Sequence, residues 1–355
     1  MANVVVTGGS GFLGSRLSRA LLAAGSIEVA GTGMRPISRL TIIDRVPTPA
    51  DIDADRRVTV LRGDLADVLG SGPDQRVALA AADVIFHLAA AVSGECEADF
   101  DLGLRANLAA TEFLLAACRA SGTNPVVVFA SSVAVFGATP GHPLPAVVDD
   151  HTLPCPQSSY GTQKLIAEYL LADYTRKGFL RGRAVRLMTI VVRPGRPNAA
   201  ASGFLSAIIR EPLAGQRATC PVDPETAVAI ASPARAIEGL LCAAASSDEA
   251  WGDRAAVNLP SLTVTVADLL AALERAAGAQ ASALIDWVPD PAVARIVASW
   301  PARIRTDRAV RLGLAPDPDI DSVIALHRAE TETQIGLSFM SAMTNQGGAD
   351  GREPV

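Results

Sequence analysis

Residues 3–25 read NVVVTGGSGFLGSRLSRALLAAG, a run of β-branched residues that leads through a glycine-rich loop into a helical segment. The loop holds Gly8, Gly11 and Gly14 at three-residue intervals, and counted from Gly9 it also fits G-x-G-x-x-G. Glycines at such positions allow a tight turn, a close approach of pyrophosphate to the backbone, and tight packing of helix on strand. A flexible glycine turn is the alternative, but the flanking strand and helix favour a dinucleotide phosphate site at the helix N-terminus.

A carboxylate is predicted at the end of the second strand, RLTIID (39–44), where Asp44 is the last residue. There it would accept hydrogen bonds from both adenosine ribose hydroxyls and repel a 2′-phosphate, which favours NAD over NADP. Arg45 follows directly and can moderate that preference. The distance from the glycine loop exceeds the usual ~20 residues, and we interpret residues 25–39 as an inserted polar loop that accounts for the excess.

Short apolar runs alternate with helical segments through the first half of the chain. The further predicted strands are VTVLRGD (58–64), DVIFHLAA (83–90), PVVVFASS (125–132) and AVRLMTIVVRPG (184–195). This pattern predicts an α/β fold with a doubly wound parallel sheet. Asp64 ends the third strand, where it either reaches the adenine amino group or caps the next helix. His87, inside an apolar strand, is predicted to be a packed structural residue.

The regular alternation of short apolar runs and helical segments ends after residue 195, which suggests that the chain has three parts. Residues 1–195 form the predicted dinucleotide-binding domain, and residues 196–330 mostly a smaller substrate lobe, from which some strands return to the main sheet. Residues 331–355 form a C-terminal segment whose end has few apolar residues and is predicted to be disordered.

Composition excludes several classes of function. Hydrophobic residues make up 49% of the 355 residues and the formal net charge is −6, so a large core is expected and nucleic-acid binding is not. The cysteines are scattered without a CxxC pair, so neither disulfides nor a metal site are predicted: Cys96, Cys118, Cys155, Cys220 and Cys242. The start lacks a basic signal-like segment, and the longest apolar stretch, 77–92, is too short for a bilayer. We therefore expect a cytoplasmic protein without membrane contact.

The segment SSYGTQK (158–164) places Tyr160 and Lys164 one helical turn apart on the same face. An ordinary helix start, capped by Ser158 or Ser159, is the simpler interpretation. The catalytic interpretation is that Tyr160 removes a proton from a substrate hydroxyl during hydride transfer. Its pKa of ~10 would have to fall by about 3 units, or ~4 kcal/mol. An ammonium ~4 Å away at an effective dielectric of ~20 supplies about that much, and the positive charge of an oxidised nicotinamide would add to it.

A third polar group is expected to orient the substrate hydroxyl. Ser131 and Ser132 end the fifth predicted strand, at the sheet edge where open parallel sheets bind their ligands. Ser132 is the candidate for this role, and Ser131 is expected to hydrogen-bond the backbone.

Together these elements resemble the extended short-chain dehydrogenase/reductase superfamily. The resemblance rests on TGGSGFLG (7–14), Asp44, Asp64, HLAAA (87–91), Asn107, SSVAVFG (131–137), Tyr160-x-x-x-Lys164 and RPG (193–195). It implies a Rossmann-type fold with a smaller C-terminal substrate lobe, NAD as cofactor, and Ser132, Tyr160 and Lys164 as the catalytic triad. The implied cofactor contacts are Gly8, Gly11, Phe12, Leu13, Gly14, Asp44, Asp64, Leu65, Ala89, Ala90, Tyr160, Lys164 and Pro194.

The resemblance also bears on individual positions and on assembly. It implies that Asn107 orders the site, although a plain helix N-cap is the alternative. Phe136 departs from the pattern, because many relatives carry tyrosine there, and we interpret it as packing. In this superfamily the helices that follow Asn107 and Tyr160 often form a dimer interface, so a homodimer is expected.

Within the superfamily, segments 87–111, 131–137, 189–215 and 258–278 resemble a group that oxidises the C2 hydroxyl of a four-carbon sugar acid with NAD. A small carboxylate substrate needs an arginine or clustered donors near the nicotinamide. The candidate substrate contacts are Ser93, Ser132, Tyr160, Asn198 and Arg210; Arg196 is a further candidate, and for any single arginine a surface charge is the alternative.

Two other functions compete. A nucleotide-sugar epimerase or dehydratase would share everything up to Gly195, whereas a non-enzymatic NAD-sensing regulator would be expected to lose the tyrosine or the lysine.

Overall fold

A parallel β-sheet forms the centre of the protein. The computed structural model describes residues 1–70, 79, 81–195 and 200–332. The described strands, in chain order, are β1 Ala2–Thr7, β2 Ser26–Glu28, β3 Met34–Asp44, β4 Val58–Arg62, β5 Val84–His87, β6 Val126–Ser132, β7 Arg181–Leu187, β8 Thr189–Ile190, β9 Ala218–Cys220, β10 Ala227–Ala231, β11 Val257–Asn258, β12 Leu262–Thr265 and β13 Ile285–Trp287.

Helices connect most of these strands. The described α-helices are Phe12–Ala24, Ala50–Asp53, Leu65–Gly70, Ser93–Ala98, Phe100–Gly103, Ala110–Ser121, Ser159–Arg176, Gly203–Leu213, Pro233–Ala245, Asp248–Trp251, Val266–Ala277, Ala279–Ser282, Pro291–Ala298 and Asp307–Arg311. A π-helical turn, Leu104–Ala109, and a 3₁₀ turn, Val133–Val135, interrupt the regular pattern. Residues 320–332 are also helical. None of the described helices is long and apolar enough to cross a membrane.

The main sheet confirms the predicted doubly wound α/β fold. Its parallel strands run in the order β4, β3, β1, β5, β6, β7, β11. The chain adds β3 on one side of β1 and later β5 on the other, so the direction of winding reverses between β1 and β5. Ligands of such sheets bind at this reversal, beyond the carboxyl ends of the strands.

The sheet is buried on both faces because its strands are apolar at successive positions. Along β1, Val4 and Val6 belong to one hydrophobic core and Val5 to the core on the opposite face. This double burial explains why the strands appear as continuous apolar runs rather than alternating ones.

Two sequence predictions about strands need correction. The segment 25–39, predicted as a polar loop, forms a β-hairpin in which β2 pairs antiparallel with Met34–Pro36 of β3. The hairpin forms because Ile27 alternates with polar neighbours and is buried against the core. The predicted strand 184–195 is divided: β7 ends at Leu187, and β8 pairs with β10 in a separate three-stranded sheet.

The second half of the chain builds a separate core. Strands β8, β10 and β12 form one small sheet and β9 pairs with β13 in another. Apolar residues of β9, β10, β12 and β13 share a hydrophobic cluster with the helices Gly203–Leu213 and Val266–Ala277. Strand β11 returns to the main sheet and pairs with β7. The end of the chain, which was predicted to be disordered, lies beyond residue 332 and therefore outside the described residues.

Candidate active site

The glycine loop lies between β1 and the helix Phe12–Ala24 and is packed too tightly for side chains. Gly8 has φ +71°, and a Cβ there would lie 2.7 Å from the amide nitrogen of Ala89. A Cβ on Gly14 would lie 2.0 Å from the carbonyl oxygen of Gly8. Glycine at these two positions lets the helix start approach the loop and the β5 end closely. The result is a cradle of backbone amides suited to a pyrophosphate.

A cleft of about 830 Å³ extends from this loop across the carboxyl ends of the strands. Every predicted cofactor contact except Pro194 lines it, namely Gly8, Gly11, Phe12, Leu13, Gly14, Asp44, Asp64, Leu65, Ala89, Ala90, Tyr160 and Lys164. Pro194 is exposed, and its neighbour Arg193 lines the cleft instead. The cleft has the size and the polar edge that a dinucleotide requires.

Asp44 lies at the edge of the cleft in a fixed position. Its carboxylate accepts hydrogen bonds from the backbone N–H of Ser10 at 2.9 Å and of Val46 at 3.1 Å. Arg45 turns toward Asp64, with 3.5 Å between its Nε and a carboxylate oxygen. Asp64 itself stands at the start of the helix Leu65–Gly70, where its carbonyl accepts from the N–H of Val68. Asp44 thus carries the negative charge that suits a ribose diol.

The helix Ser159–Arg176 brings the three predicted catalytic residues together. Ser158 caps it by accepting a hydrogen bond from the N–H of Gly161 at 3.1 Å. Tyr160 stands in the first turn and lines the same pocket as Ser132, the last residue of β6. Lys164, one turn later, is buried and its Nζ donates to the carbonyl of Ala130 at 2.9 Å.

Close packing holds this helix against the end of β6. A Cβ on Gly161 would lie 2.0 Å from the carbonyl oxygen of Ala134, so only glycine lets the first turn rest on the 3₁₀ turn. The helix N-terminus is thereby positioned beside Ser132. The geometry follows from two local features, the Ser158 cap and the missing side chain at Gly161.

The pKa of Tyr160 differs from the sequence-based expectation. Burial raises it to about 12, while the nearby Arg193 and Ser132 act to lower it. The sequence predicted that the Lys164 ammonium supplies about the required decrease, with the charge of an oxidised nicotinamide adding to it. In the chain by itself Lys164 does not supply this decrease, because its ammonium donates to Ala130 and lies 5.5 Å from the Tyr160 ring centre. Burial also lowers the pKa of Lys164 to about 8, with Cys96 and Glu168 opposing.

Buried polar residues support the triad from behind. Asn107 lies within the π-helical turn rather than at a helix N-cap, which corrects the capping alternative. Its side chain accepts from the N–H of Ala91 at 2.7 Å and donates to Gln163 at 2.8 Å. The predicted packing role of His87 agrees with its burial and its short contacts to two threonine hydroxyls. Asn107 therefore ties the backbone beside the cleft to the catalytic helix.

A smaller pocket of about 70 Å³ adjoins the cleft at Tyr160. Its described lining residues are Val92, Ser93, Ser132, Val133, Ala134, Tyr160, Met188, Thr189, Arg193, Ala200, Ser202 and Trp300. Five of them, Val92, Ser132, Tyr160, Met188 and Arg193, also line the large cleft. The two cavities therefore meet at Ser132 and Tyr160, where a substrate and a cofactor can react.

The predicted substrate contacts have different positions relative to this pocket. Ser93 lines it, and its hydroxyl accepts from the N–H of Ala201 at 3.1 Å. Arg210 does not line it; its guanidinium donates to the carbonyl of Arg193 at 2.5 Å and pairs with Glu211. Asn198 and Arg196 lie outside the described residues.

Sequence reasoning missed the residues that the second half of the chain contributes. Arg193 stood inside the quoted RPG segment, but nothing in its spacing pointed to the pocket. Thr189 and Ser202 lay within the segment 189–215 that carried the resemblance, but no spacing singled them out, and Trp300 lay outside every quoted segment. They reach the pocket because the chain leaves the main sheet after β7 and folds back over the end of β6.

Comparisons with known proteins identify the class of protein that this fold and site define. The sequence pattern of the NAD dependent epimerase/dehydratase family matches residues 4–228, and the chain belongs to that family. This confirms the predicted superfamily and NAD as the cofactor. The chain is 48% identical over 324 residues to D-erythronate dehydrogenase of Cupriavidus necator, which covers 91% of this chain and 96% of that protein.

Two further relatives show the same full-length similarity. D-erythronate dehydrogenase of Haemophilus influenzae is 40% identical over 321 residues, covering 90% of this chain and 97% of that protein. The crystal structure of a nucleoside-diphosphate-sugar epimerase from Agrobacterium tumefaciens has 40% identity and a TM-score of 0.81, covering 91% and 92% of the two chains. These matches extend well beyond the glycine loop and include the second half of the chain.

Proposed function

We propose that this protein is an NAD-dependent dehydrogenase that oxidises the C2 hydroxyl of D-erythronate to give 2-dehydro-D-erythronate. The observation that carries the proposal is the small pocket beside Tyr160, which has room for a compact polar molecule and presents hydroxyl groups and one guanidinium. Two relatives with the name D-erythronate dehydrogenase align over nine-tenths of the chain. Pocket and relatives therefore support the same substrate class.

The residues of the large cleft fit the cofactor. The backbone cradle between Gly8 and Gly14, which a Cβ on either glycine would obstruct, receives the pyrophosphate, and Asp44 receives the adenosine ribose. Bound oxidised NAD supplies the hydride acceptor and a positive charge that lowers the pKa of Tyr160. The chain supplies the groups that hold the substrate and move its proton.

In the proposed mechanism, Tyr160 takes the proton from the C2 hydroxyl of the substrate. Ser132 hydrogen-bonds the same oxygen and holds it in line with Tyr160, a role that its place beside Tyr160 in the pocket wall supports. Lys164, fixed by the Ala130 carbonyl, keeps a cationic donor on the cofactor side of the tyrosine. As C2 becomes a carbonyl, the Ser132 hydroxyl donates to its oxygen.

A nucleotide-sugar epimerase is the second candidate, since the Agrobacterium relative carries that description. Its substrate would need room for a nucleoside diphosphate besides the dinucleotide cofactor. Ligand sites for molecules of that size are about 300–1,000 Å³, whereas the pocket next to Tyr160 is about 70 Å³. The pocket therefore favours the sugar acid.

The experiment is to follow NADH formation at 340 nm with purified protein and D-erythronate, L-threonate, other four-carbon acids or UDP-sugars, each with NAD or NADP. We expect oxidation of D-erythronate with NAD, and loss of this activity in Tyr160→Phe with NAD binding retained. Tyr169→Phe, an exposed tyrosine on the same helix, is the matched control. Conversion of a UDP-sugar without oxidation of any acid would refute the proposal and support the epimerase.

We also propose a homodimer formed by the helices Ala110–Ser121 and Ser159–Arg176. Phe113 and Tyr169 on these helices are exposed by 52% and 59%, and Ile166 is also exposed. Large apolar side chains on two neighbouring helices are typical of an interface. Light scattering should give twice the chain mass, and Phe113→Glu combined with Tyr169→Glu should give monomers. A monomeric wild-type protein would refute the dimer.

A further inference from the structure

Arg193 stands where the cofactor cleft and the small pocket meet, and its backbone is held on both sides. Its N–H donates to the hydroxyl of Ser206 at 3.0 Å, and its carbonyl accepts from Arg210 at 2.5 Å. Its own Nε donates to the carbonyl of Ile190 at 3.3 Å. The guanidinium is therefore anchored rather than free to swing into solvent.

Among the described residues, no ion pair includes Arg193. Three other guanidinium groups with little exposure have a carboxylate partner: Arg183 with Asp248, Arg186 with Glu168 and Arg210 with Glu211. Burial lowers the pKa of Arg193, and the group that opposes this effect is the hydroxyl of Tyr160. A desolvated cation is costly unless an anion or hydrogen-bond acceptors compensate it. The junction of the two cavities thus holds a positive charge that suits an anionic ligand.

The rest of the pocket indicates what kind of anion fits. Four hydroxyl-bearing residues, Ser93, Ser132, Thr189 and Ser202, line the same space. Guanidinium groups bind carboxylates through two parallel hydrogen bonds, and side-chain hydroxyls pair with substrate hydroxyls. One cation with several hydroxyls in about 70 Å³ matches a short polyhydroxy monocarboxylate.

We infer that Arg193 binds the substrate carboxylate and thereby selects the hydroxyl on the adjacent carbon for oxidation. The inference rests on the proposed function and adds the residue that determines its regiochemistry. Arg193 lies close enough to Tyr160 for their charges to interact. A carboxylate held by Arg193 places C2, its direct neighbour, at Tyr160 and Ser132, whereas C3 and C4 lie further along the pocket.

The test compares D-erythronate with its neutral amide, D-erythronamide, which keeps every hydroxyl but lacks the charge. In Arg193→Met we expect kcat/KM for the acid to fall by about 100-fold or more, as for loss of a bidentate charged contact. The amide should change by less than about threefold, because it offers no carboxylate to the guanidinium. Equal losses for acid and amide would overturn the inference.

Two further variants separate charge from geometry. Arg193→Lys keeps the positive charge but loses the two parallel N–H donors of the guanidinium. The KM for the acid should therefore stay raised while kcat recovers. Arg176→Met, which removes an exposed arginine at the far end of the catalytic helix, is the control and should behave as wild type. Binding of NADH and the thermal unfolding midpoint are measured in all three variants, so that a loss specific to the acid is separated from a loss of cofactor binding or of folding. A low KM for the acid in Arg193→Lys would show that charge alone suffices and overturn the bidentate contact.

A calorimetric arm distinguishes failure of the inference from failure of the proposed function. D-erythronate and L-threonate are titrated into NADH-saturated wild type and Arg193→Met. If wild type binds an acid without oxidising D-erythronate, the proposed function fails, and loss of that binding in Arg193→Met still supports the carboxylate contact. Binding of the acids to Arg193→Met as tightly as to wild type, or to neither protein, overturns it.

Discussion

Arg186 and Glu168 form a bidentate ion pair inside the protein, with distances of 2.9 Å from Nε to Oε1 and 2.7 Å from Nη2 to Oε2. Both side chains are less than one-tenth exposed. The hydroxyl of Ser131 donates to the same carboxylate at 2.5 Å, so Ser131 bonds a side chain rather than the backbone we predicted. Glu168 follows Lys164 by one helical turn. The pair therefore joins the catalytic helix to β6 and β7 directly behind the triad.

Glu168→Gln is predicted to destabilise the protein strongly. The substitution keeps the shape of the side chain but leaves the buried charge of Arg186 without compensation. Breaking a buried pair in this way costs about 3–5 kcal/mol. Urea unfolding should show this loss in the free energy of unfolding. The double variant Glu168→Leu with Arg186→Met removes both charges and should recover most of it. A single variant as stable as wild type would show that the pair is solvated.

The burial of Lys164 predicts a specific dependence of stability on pH. Its pKa is about 8 in the folded chain, against ~10.4 when unfolded. Between these values the unfolded chain binds more protons, so the contribution of this group to stability rises with pH. The free energy of unfolding of wild type relative to Lys164→Met should increase by about 3 kcal/mol from pH 7 to pH 10.5. Lys177→Met, at the exposed end of the same helix, should show no such trend.

Asp44 is predicted to control the choice between NAD and NADP. Asp44→Ser removes the acceptor for the ribose hydroxyls and the charge that repels a 2′-phosphate. We expect kcat/KM for NAD to fall by about 10- to 100-fold, as for one or two lost charged hydrogen bonds. The ratio of activity with NADP to that with NAD should rise. Asp51→Ser, which removes an exposed partner of Arg19, is the control. An unchanged ratio would exclude Asp44 from the ribose site.

Gly14→Ala is predicted to abolish NAD binding. The added methyl group would lie 2.0 Å from the carbonyl of Gly8, so the loop or the helix has to move. The pyrophosphate cradle depends on that close approach. Gly141→Ala, where nothing lies within 4 Å of an added Cβ, should bind NAD normally. Equilibrium titration with NADH fluorescence measures both, and normal affinity in Gly14→Ala would place the pyrophosphate elsewhere.

The glycine loop, Asp44 and the Tyr160–Lys164 spacing could be predicted because each is a local pattern with a direct physical reason. The electrostatics between them could not. Sequence spacing placed Lys164 near Tyr160, but in the folded chain the Lys164 ammonium donates to Ala130. Arg193 is the cation that lowers the pKa of Tyr160 against the effect of burial. Charge interactions depend on distance and desolvation, and both are properties of the packed interior.

The amino-acid sequence by itself determined the parallel sheet, the dinucleotide cradle and the helix that carries Tyr160 and Lys164, because periodicity, glycines and caps act over a few neighbouring residues. Only the tertiary structure decided the shape and charge of the substrate pocket. Arg193, Ser202 and Trp300 reach Tyr160 through the path of the chain after β7, which crosses into a second sheet and returns over the end of β6. Long-range packing leaves no periodic signal in the sequence, so these contacts became visible only in the fold.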